Sequence, residues 1–397
     1  MVRVRTEAPV RPRLLLFVLA ALTAVAPFAT DMYVPGFPEL TRSLNTDSAG
    51  VQLSMTAFLL GLAVGQIVLG PISDALGRRP LLLFGAALFT VFSVVCALAP
   101  GIEVLVAARL LQGFTGAAGI VVARAVVADV YEGAAAARRF STLVVITSVA
   151  PIAAPVLGGG ILAVSSWPFV FVALALFGLL LVAGVLGGVP ETLPPERRHA
   201  AGIGATFRAM GRLLSRRTMA GYVLVASCNG ISLFAYIAGS SFVFEDLYGA
   251  SATQYSLIFA TNALGMLAGA TIFGRLAGRV RPRLLLASGV LFGLIAAALL
   301  VVLLVSGLGG LVSTWVLLFF AIGTLGFLIP SVTTLGQEYG REASGAASAL
   351  LGGGMFVLGA IASPLVGAIG VDNALPMAVF VLVGFAGSGL AFASTLG

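Results

Sequence analysis

Lysine is absent from the 397 residues, and charged side chains of every kind make up only 9% of them. A water-soluble domain carries roughly 25% charged residues, so this chain cannot clothe its surface in water. Without lysine no GxxxxGK(S/T) phosphate loop can form, and ATP as a direct drive would require another subunit. Neither HExxH nor a GxSxG elbow occurs, and the one histidine, His199, sits in a polar stretch. An intramembrane enzyme needs clustered catalytic groups, so the chain does not read as an enzyme. The two cysteines, Cys96 and Cys228, both fall inside apolar runs, which argues against a structural disulfide. No pattern calls for a metal or a cofactor.

What is present is apolar: 59% hydrophobic residues and a mean hydropathy of +1.11. A spanning helix needs about 20 apolar residues at ~1.5 Å each. Runs bounded by charge, proline or glycine predict helices near 14–37, 51–73, 81–99, 104–128, 140–163 and 169–189. A second set falls near 219–243, 255–274, 284–305, 312–333, 346–369 and 374–395. The fold class expected is an all-α polytopic membrane protein of twelve transmembrane helices in two six-helix bundles. The longest polar stretch, Pro190 to Arg217, lies midway and reads as a linker. The expected division is 1–195 for the first bundle, 196–217 for the linker and 218–397 for the second bundle.

The 22 basic residues, all arginine, lie between the apolar runs and not along one face, so they read as topology signals and not as a nucleic-acid surface. With the N-terminus inside, nineteen of them face the cytoplasm and only Arg42 faces out, while Arg109 and Arg124 remain within helix 4. Both termini are therefore expected in the cytoplasm, with the chain as a multi-pass protein of the inner membrane. Arg3, Arg5, Arg11 and Arg13 precede the first run, and Ala24-Val25-Ala26 resembles a signal-peptidase site. Pro27 directly after it argues against cleavage, and removal would leave an unpaired half. The halves also repeat: Gly61, Gly65 and Gly70 recur as Gly265, Gly269 and Gly274, all at an offset of 204. Ala154-Pro155-Val156-Leu157-Gly158 recurs as Ser363-Pro364-Leu365-Val366-Gly367. Repeated bundles about a central site are a transporter architecture.

Four stretches carry the chemistry. The link after helix 2 reads GPISDALGRRP, in which Gly77 suits a tight turn, Asp74 ends a helix, and Arg78 and Arg79 face lipid phosphates and carboxylates. Helix 4 holds RLLQGFTGAAG, placing Arg109 about five residues inside a span, where an unpaired cation is costly. Helix 5 holds APIAAPVLGGG, whose Pro151 and Pro155 bend the span while Gly158 and Gly159 permit close contact, with helix 11 as the expected partner. TDMYVPGFP ends helix 1 and puts Asp31 after seventeen uninterrupted apolar or weakly polar residues that start at Leu14, ~25 Å along the helix. Asp31 is the one carboxylate expected within a span away from the loop ends. Low dielectric disfavours a carboxylate's charge, so it is the best candidate for a group that takes up and releases protons.

The Gly70 to Pro80 loop resembles the loop signature of the major facilitator superfamily, matching at Gly70, Asp74, Gly77, Arg78 and Arg79, with Ala75 where the family often has arginine. The helix 4 and helix 5 runs resemble that superfamily's second motif and its antiporter motif, with Ala154 in place of the usual glycine. TDMYVPGFP is similar to the helix 1 signature of the bicyclomycin/chloramphenicol resistance (Bcr/CflA) exporters. PETL at Pro190, FAYIAGSSFVF at Phe234 and GAASALLG at Gly345 extend the likeness over nearly the whole chain. One departure is Trp167-Pro168, where the family has Trp-Arg. The resemblance implies proton-driven antiport of drug-like small molecules, by a protein working as a monomer in the bilayer. The implied proton-coupling residues are Asp31 and Arg109. Gly70, Asp74, Gly77, Arg78, Arg79 and Asp129 are expected to gate, Asp74 by holding helix 11 near Ala343 to Gly345. Asp129 and Glu132 are expected to pair with Arg78 and Arg79. Tyr33, Gln112, Tyr236 and Asn262 are expected to line the substrate cavity, and Glu245 and Asp246 to lie outside the membrane. The alternative is proton-coupled import or export of a small metabolite on the same fold.

Overall fold

A computed structural model describes residues 12–131, 133–198, 202–370 and 372–395. Arg3, Arg5, Arg11, Glu132 and His199 lie outside the described residues. The spanning helices are α1 (Pro12–Ser43), α2 (Ser48–Leu76), α3 (Arg78–Ala97), α4 (Ile102–Val130), α5 (Gly133–Leu162), α6 (Pro168–Gly188), α7 (Arg217–Leu247), α8 (Ala252–Leu276), α9 (Pro282–Val305), α10 (Leu311–Tyr339), α11 (Ser344–Ile369) and α12 (Leu375–Ala393). Eleven are long and apolar enough to cross a membrane, and α5 contributes the shorter apolar segment Val149–Leu162. Large apolar side chains such as Leu180, Val302 and Leu390 face outward around the circumference, as lipid-facing helices require.

Several helices outrun the expected spans: α5 begins at Gly133 rather than near 140, and α10 reaches Tyr339 rather than 333. Apolar run length measures the hydrocarbon slab, whereas backbone hydrogen bonding continues through the polar interface. The polar stretch between the halves, expected as a linker, also holds a helix, Ile203–Leu214. Ile203, Phe207, Met210 and Leu213 recur at helical spacing, and Met210 and Leu213 are buried where this helix packs against α7 and α11.

α1 is not continuous. It runs as Pro12–Thr23 and Val25–Asp31, then through the 3-10 turn Val34–Gly36 into Phe37–Ser43. Pro27 and Pro35 each remove the N–H that would bond the carbonyl four residues earlier, at Thr23 and Asp31. The break therefore falls immediately after Asp31.

Helix packing obeys the repeat. α2 packs on α4, and α3 on α4 and α6; correspondingly α8 packs on α10, and α9 on α10 and α12. At Gly61 an added Cβ would strike the α4 backbone at Leu110 and Phe114, and at Gly269 the α10 backbone at Gly323 and Phe327. Gly61 and Gly65, and their counterparts Gly265 and Gly269, thus serve the same helix pair in each half, where close backbone approach is what a small residue permits; Gly274 has open space around it. The halves meet along two related seams, α2 against α11 and α5 against α8. The expected pairing of α5 with α11 is corrected: each packs on a helix of the opposite half. The sequence repeat identifies equivalent helices, and two-fold-related helices need not touch.

Candidate functional site

The break in α1 presents Asp31, 4% exposed, at the end of a helical segment. Its Oδ1 accepts a hydrogen bond from Thr30 Oγ1 at 2.8 Å, and it has no ion-pair partner among the described residues. Across the interface it lies close enough to Tyr236 of α7 and Tyr255 of α8 to act on both electrostatically. Asn262 Nδ2 donates to the Tyr236 hydroxyl at 2.9 Å, and the Tyr236 ring stacks on Phe259 at 5.3 Å. Ser240 and the Tyr255 hydroxyl lie 2.8 Å apart. Tyr236 and Tyr255 therefore lie within electrostatic range of Asp31, with Asn262 and Ser240 as their hydrogen-bond partners. Ser240 and Tyr255 were legible only as polar residues in a span; nothing in their spacing reveals which way each helix turns.

Tyr33 and Gln112, expected to line the substrate cavity, lie apart from Tyr236 and Asn262, within the first half. Both are fully buried inside the first half around Arg109, which is itself 0% exposed. Arg109 Nη1 donates to Gln112 Oε1 at 2.6 Å, and Gln112 Nε2 donates to Ser93 at 2.7 Å. The guanidinium carbon lies 4.4 Å from the Tyr33 ring centre, 4.2 Å from Phe58 and 5.7 Å from Phe171. Among the described residues, Nε and Nη2 have no hydrogen-bond partner and no carboxylate approaches within ion-pair distance. Arg109 does not snorkel, and it does not touch Asp31. Aromatic faces carry its charge where a carboxylate was expected.

The α5 motif supports the break from behind. Gly158 lies against the Met32 backbone, one residue past Asp31, and a Cβ there would overlap the Met32 carbonyl. Gly159 faces Ser256 and Ala252 of α8. Pro151 and Pro155 sit inside the same helix, one turn apart. At the arginine-poor end of α6, Trp167 takes over where a charge was expected: its ring N–H donates to Ser43 at 2.8 Å and its backbone N–H to Glu39 at 3.4 Å.

At the arginine-rich end, Arg78 bonds Asp74 Oδ1 and Ser73 Oγ at 2.5 Å and Asp129 Oδ2 at 3.0 Å. Glu191 of the PETL run, a residue without an expected role, joins this cluster. That carboxylate accepts the backbone N–H groups of Arg78 at 3.0 Å and Arg79 at 3.3 Å, capping the start of α3. Arg198 approaches it at 3.6 Å. Gly77, at φ +105°, makes the turn, and a Cβ there would fall 2.5 Å from Glu191 Oε2. Arg79 reaches the Leu186 carbonyl at 2.9 Å. Gly70 packs opposite Val121 of α4. Asp74 is directed to Arg78, not to Ala343–Gly345 of the opposite half. Glu245, expected outside, lies in a wide turn, Phe242–Leu247, that ends α7, with Oε1 buried and unpartnered. Its neighbour Asp246 pairs with Arg42 at 3.7 Å.

Comparison with known proteins places this arrangement. The profile of the Major Facilitator Superfamily matches residues 19–364. An uncharacterized MFS-type transporter of Bacillus subtilis (strain 168) is 41% identical over 380 residues, 95% of this chain and 94% of its own. Multidrug resistance protein D of Escherichia coli K12 is 30% identical over 343 residues, covering 85% and 84% of the two chains. The bicyclomycin resistance protein homolog of Haemophilus influenzae is 29% identical over 365 residues, 90% of each chain. In fold, the chain matches an inward-facing crystal structure of a bacterial homolog of the human lysosomal transporter Spinster, with a TM-score of 0.75 at 16% identity over 97% of this chain and 98% of that one. Because the profile runs through both halves and the relatives align along most of their length, this chain belongs to the major facilitator superfamily, in its Bcr/CflA family.

Proposed function

We propose that the protein is a drug:proton antiporter that exports small drug-like molecules by alternating access. The carrying observation is Asp31: a buried carboxylate without a cationic partner among the described residues, at a helix break, within electrostatic range of tyrosines of the other half. Relatives named for bicyclomycin and multidrug resistance support the substrate class. Positive residues favour the cytoplasm, so the arginine-rich end is assigned to the inside of the bacterial inner membrane, with both termini there. The transporter works as a monomer.

Drug and proton are coupled if drug prefers the deprotonated carrier, in which case proton binding weakens drug binding by the same factor. Asp31 is assigned the coupling proton, and Tyr236, Asn262, Ser240 and Tyr255 the adjacent polar wall. Arg109 acts through Tyr33, two residues from Asp31 on α1, by holding the broken segment in place. Asp74, Arg78, Arg79, Asp129, Gly70 and Gly77 form the inner gate, where Asp74 is free to exchange Arg78 for the N-terminus of α11 when that face closes. A metabolite exchanged for protons is the competing reading, and a susceptibility panel on cells with and without the protein separates the two. In purified protein, Asp31→Asn is expected to bind drug yet release no proton on binding; normal drug-evoked release rules Asp31 out as the carrier.

A further inference from the structure

Two helices of the second half carry a local fault at the arginine-poor end, and each fault frees a backbone carbonyl. In α11, Pro364 has no N–H to give the carbonyl four residues earlier, Ala360. In α7, the wide turn beginning at Phe242 directs the Phe242 N–H to Gly239, away from Ala238. Both carbonyls accept bonds from α2 of the first half. Thr56 Oγ1 donates to Ala360 O at 2.7 Å, and Gln52 Nε2 donates to Ala238 O at 3.0 Å. The other end of the same amide, Gln52 Oε1, accepts the Gly367 N–H at 2.8 Å. Gln52 is 0% exposed and Thr56 7% exposed. Ser48 and Ser363 add longer bonds along the same seam, at 3.4 and 3.5 Å.

We propose that Gln52 and Thr56 are the outer latch of the transporter: α2 side chains that close the arginine-poor end by plugging carbonyls exposed by the Pro364 kink and the α7 wide turn, and that release when the site opens outward. The inference deepens the alternating-access reading and rests on it for what the movement accomplishes. A buried, unpaired carbonyl is costly in an apolar seam, so the closed state is favoured while the α2 donors are in place. When the seam parts, water takes over the same groups, which lets a polar latch open where a wholly apolar seam would expose only hydrocarbon.

The related seam serves as an internal comparison. Position 256 lies at the repeat offset of 204 from Gln52 and is a serine. Its hydroxyl bonds its own helix at Ala252 O, 2.7 Å, while α5 approaches it through Gly159. Of the two seams, α2–α11 is the one whose partner side chains donate across the halves from these equivalent positions. The acceptors are main-chain atoms that no side-chain exchange in α7 or α11 removes, so the donors on α2 control the latch.

The test reads the latch without reading transport. Spin labels at Asn45→Cys and Asn373→Cys, both exposed near the arginine-poor ends, report the separation of α2 from α11 by pulsed electron resonance in nanodiscs. The background carries Cys96→Ala and Cys228→Ala. Thr56→Val removes one donor with little change of shape, and Gln52→Met removes a donor and an acceptor. Each folded variant is expected to raise the population with a long separation, by about tenfold for Gln52→Met and less for Thr56→Val. Ser256→Ala is expected to leave the distribution as it was. Unchanged distributions in both α2 variants, or an equal shift in Ser256→Ala, overturn the latch. Because no drug or proton flux enters this readout, failure of the antiport reading shows instead in the Asp31→Asn experiment.

Discussion

Arg109 is the residue whose environment departs furthest from its expected role. A guanidinium without a carboxylate in a membrane interior is tolerable only if its charge is spread and its donors are partly met. Here one donor goes to Gln112, and the flat faces of Phe58 and Tyr33 lie 4.2 and 4.4 Å from the cation. A desolvated cation–π contact is worth about 2 kcal/mol. Tyr33→Phe keeps the ring and gives up the hydroxyl's 3.3 Å contact with Ser54 and its interaction with Arg109, so thermal stability and export should fall far less than in Tyr33→Ala. Tyr33→Ala takes away the face and should lower stability by at least ~2 kcal/mol, read as a fall in melting temperature in detergent. Arg109→Lys should be intermediate, since a compact ammonium cannot stack as a guanidinium does. Equal behaviour of Tyr33→Phe and Tyr33→Ala would show that the ring does not hold the cation. Arg109 stood out in the sequence because any charge in a span does. Its partners did not, because i to i+4 spacing fixes a helix face but not the neighbour that face meets.

Among the elements, the broken α1 and the α5 behind it act as a pair. Proline positions alone locate the break after Asp31, which the expected span 14–37 passed over because apolar content does not register a missing N–H. Only the packed structure shows that Gly158 meets the Met32 carbonyl there. Gly158→Ala should push the α1 break away from α5 and displace Asp31 without altering it chemically. The expected outcome is normal insertion, with drug-evoked proton release reduced by up to about a hundredfold, the penalty a 1 Å displacement can carry. Gly160→Ala in the same helix has open space around its Cβ and should be silent. If both substitutions are silent, the contact with Met32 does not position Asp31. The PETL run illustrates the converse: Glu191 was visible as a motif, but capping α3 requires that the chain beyond α6 fold back onto Arg78 and Arg79, which local sequence does not encode.

At the scale of the whole molecule, exchange of one neutral drug for one or more protons moves net positive charge inward. The inside-negative potential should therefore assist export of a neutral drug. Collapsing the potential at constant pH gradient should slow that export, while export of a monovalent cationic drug against a single proton should be indifferent. Drug efflux from proteoliposomes at clamped potential measures both, and identical responses would argue against fixed proton exchange. Hydropathy, the arginine distribution and the offset of 204 between glycines were enough to determine twelve helices, their repeat, the candidate carboxylate and the turn at Gly77. Those features follow from the bilayer as solvent and from backbone rules that act within a few residues. Tertiary structure alone decided that Asp31 comes within electrostatic range of Tyr236 and Tyr255, that Arg109 is enclosed by rings of its own half, and that Gln52 and Thr56 reach carbonyls freed in α7 and α11. Such contacts join residues up to 304 positions apart, and they depend on the rotation of each helix about its axis, which nearly uniform hydrophobicity around a spanning helix leaves unmarked.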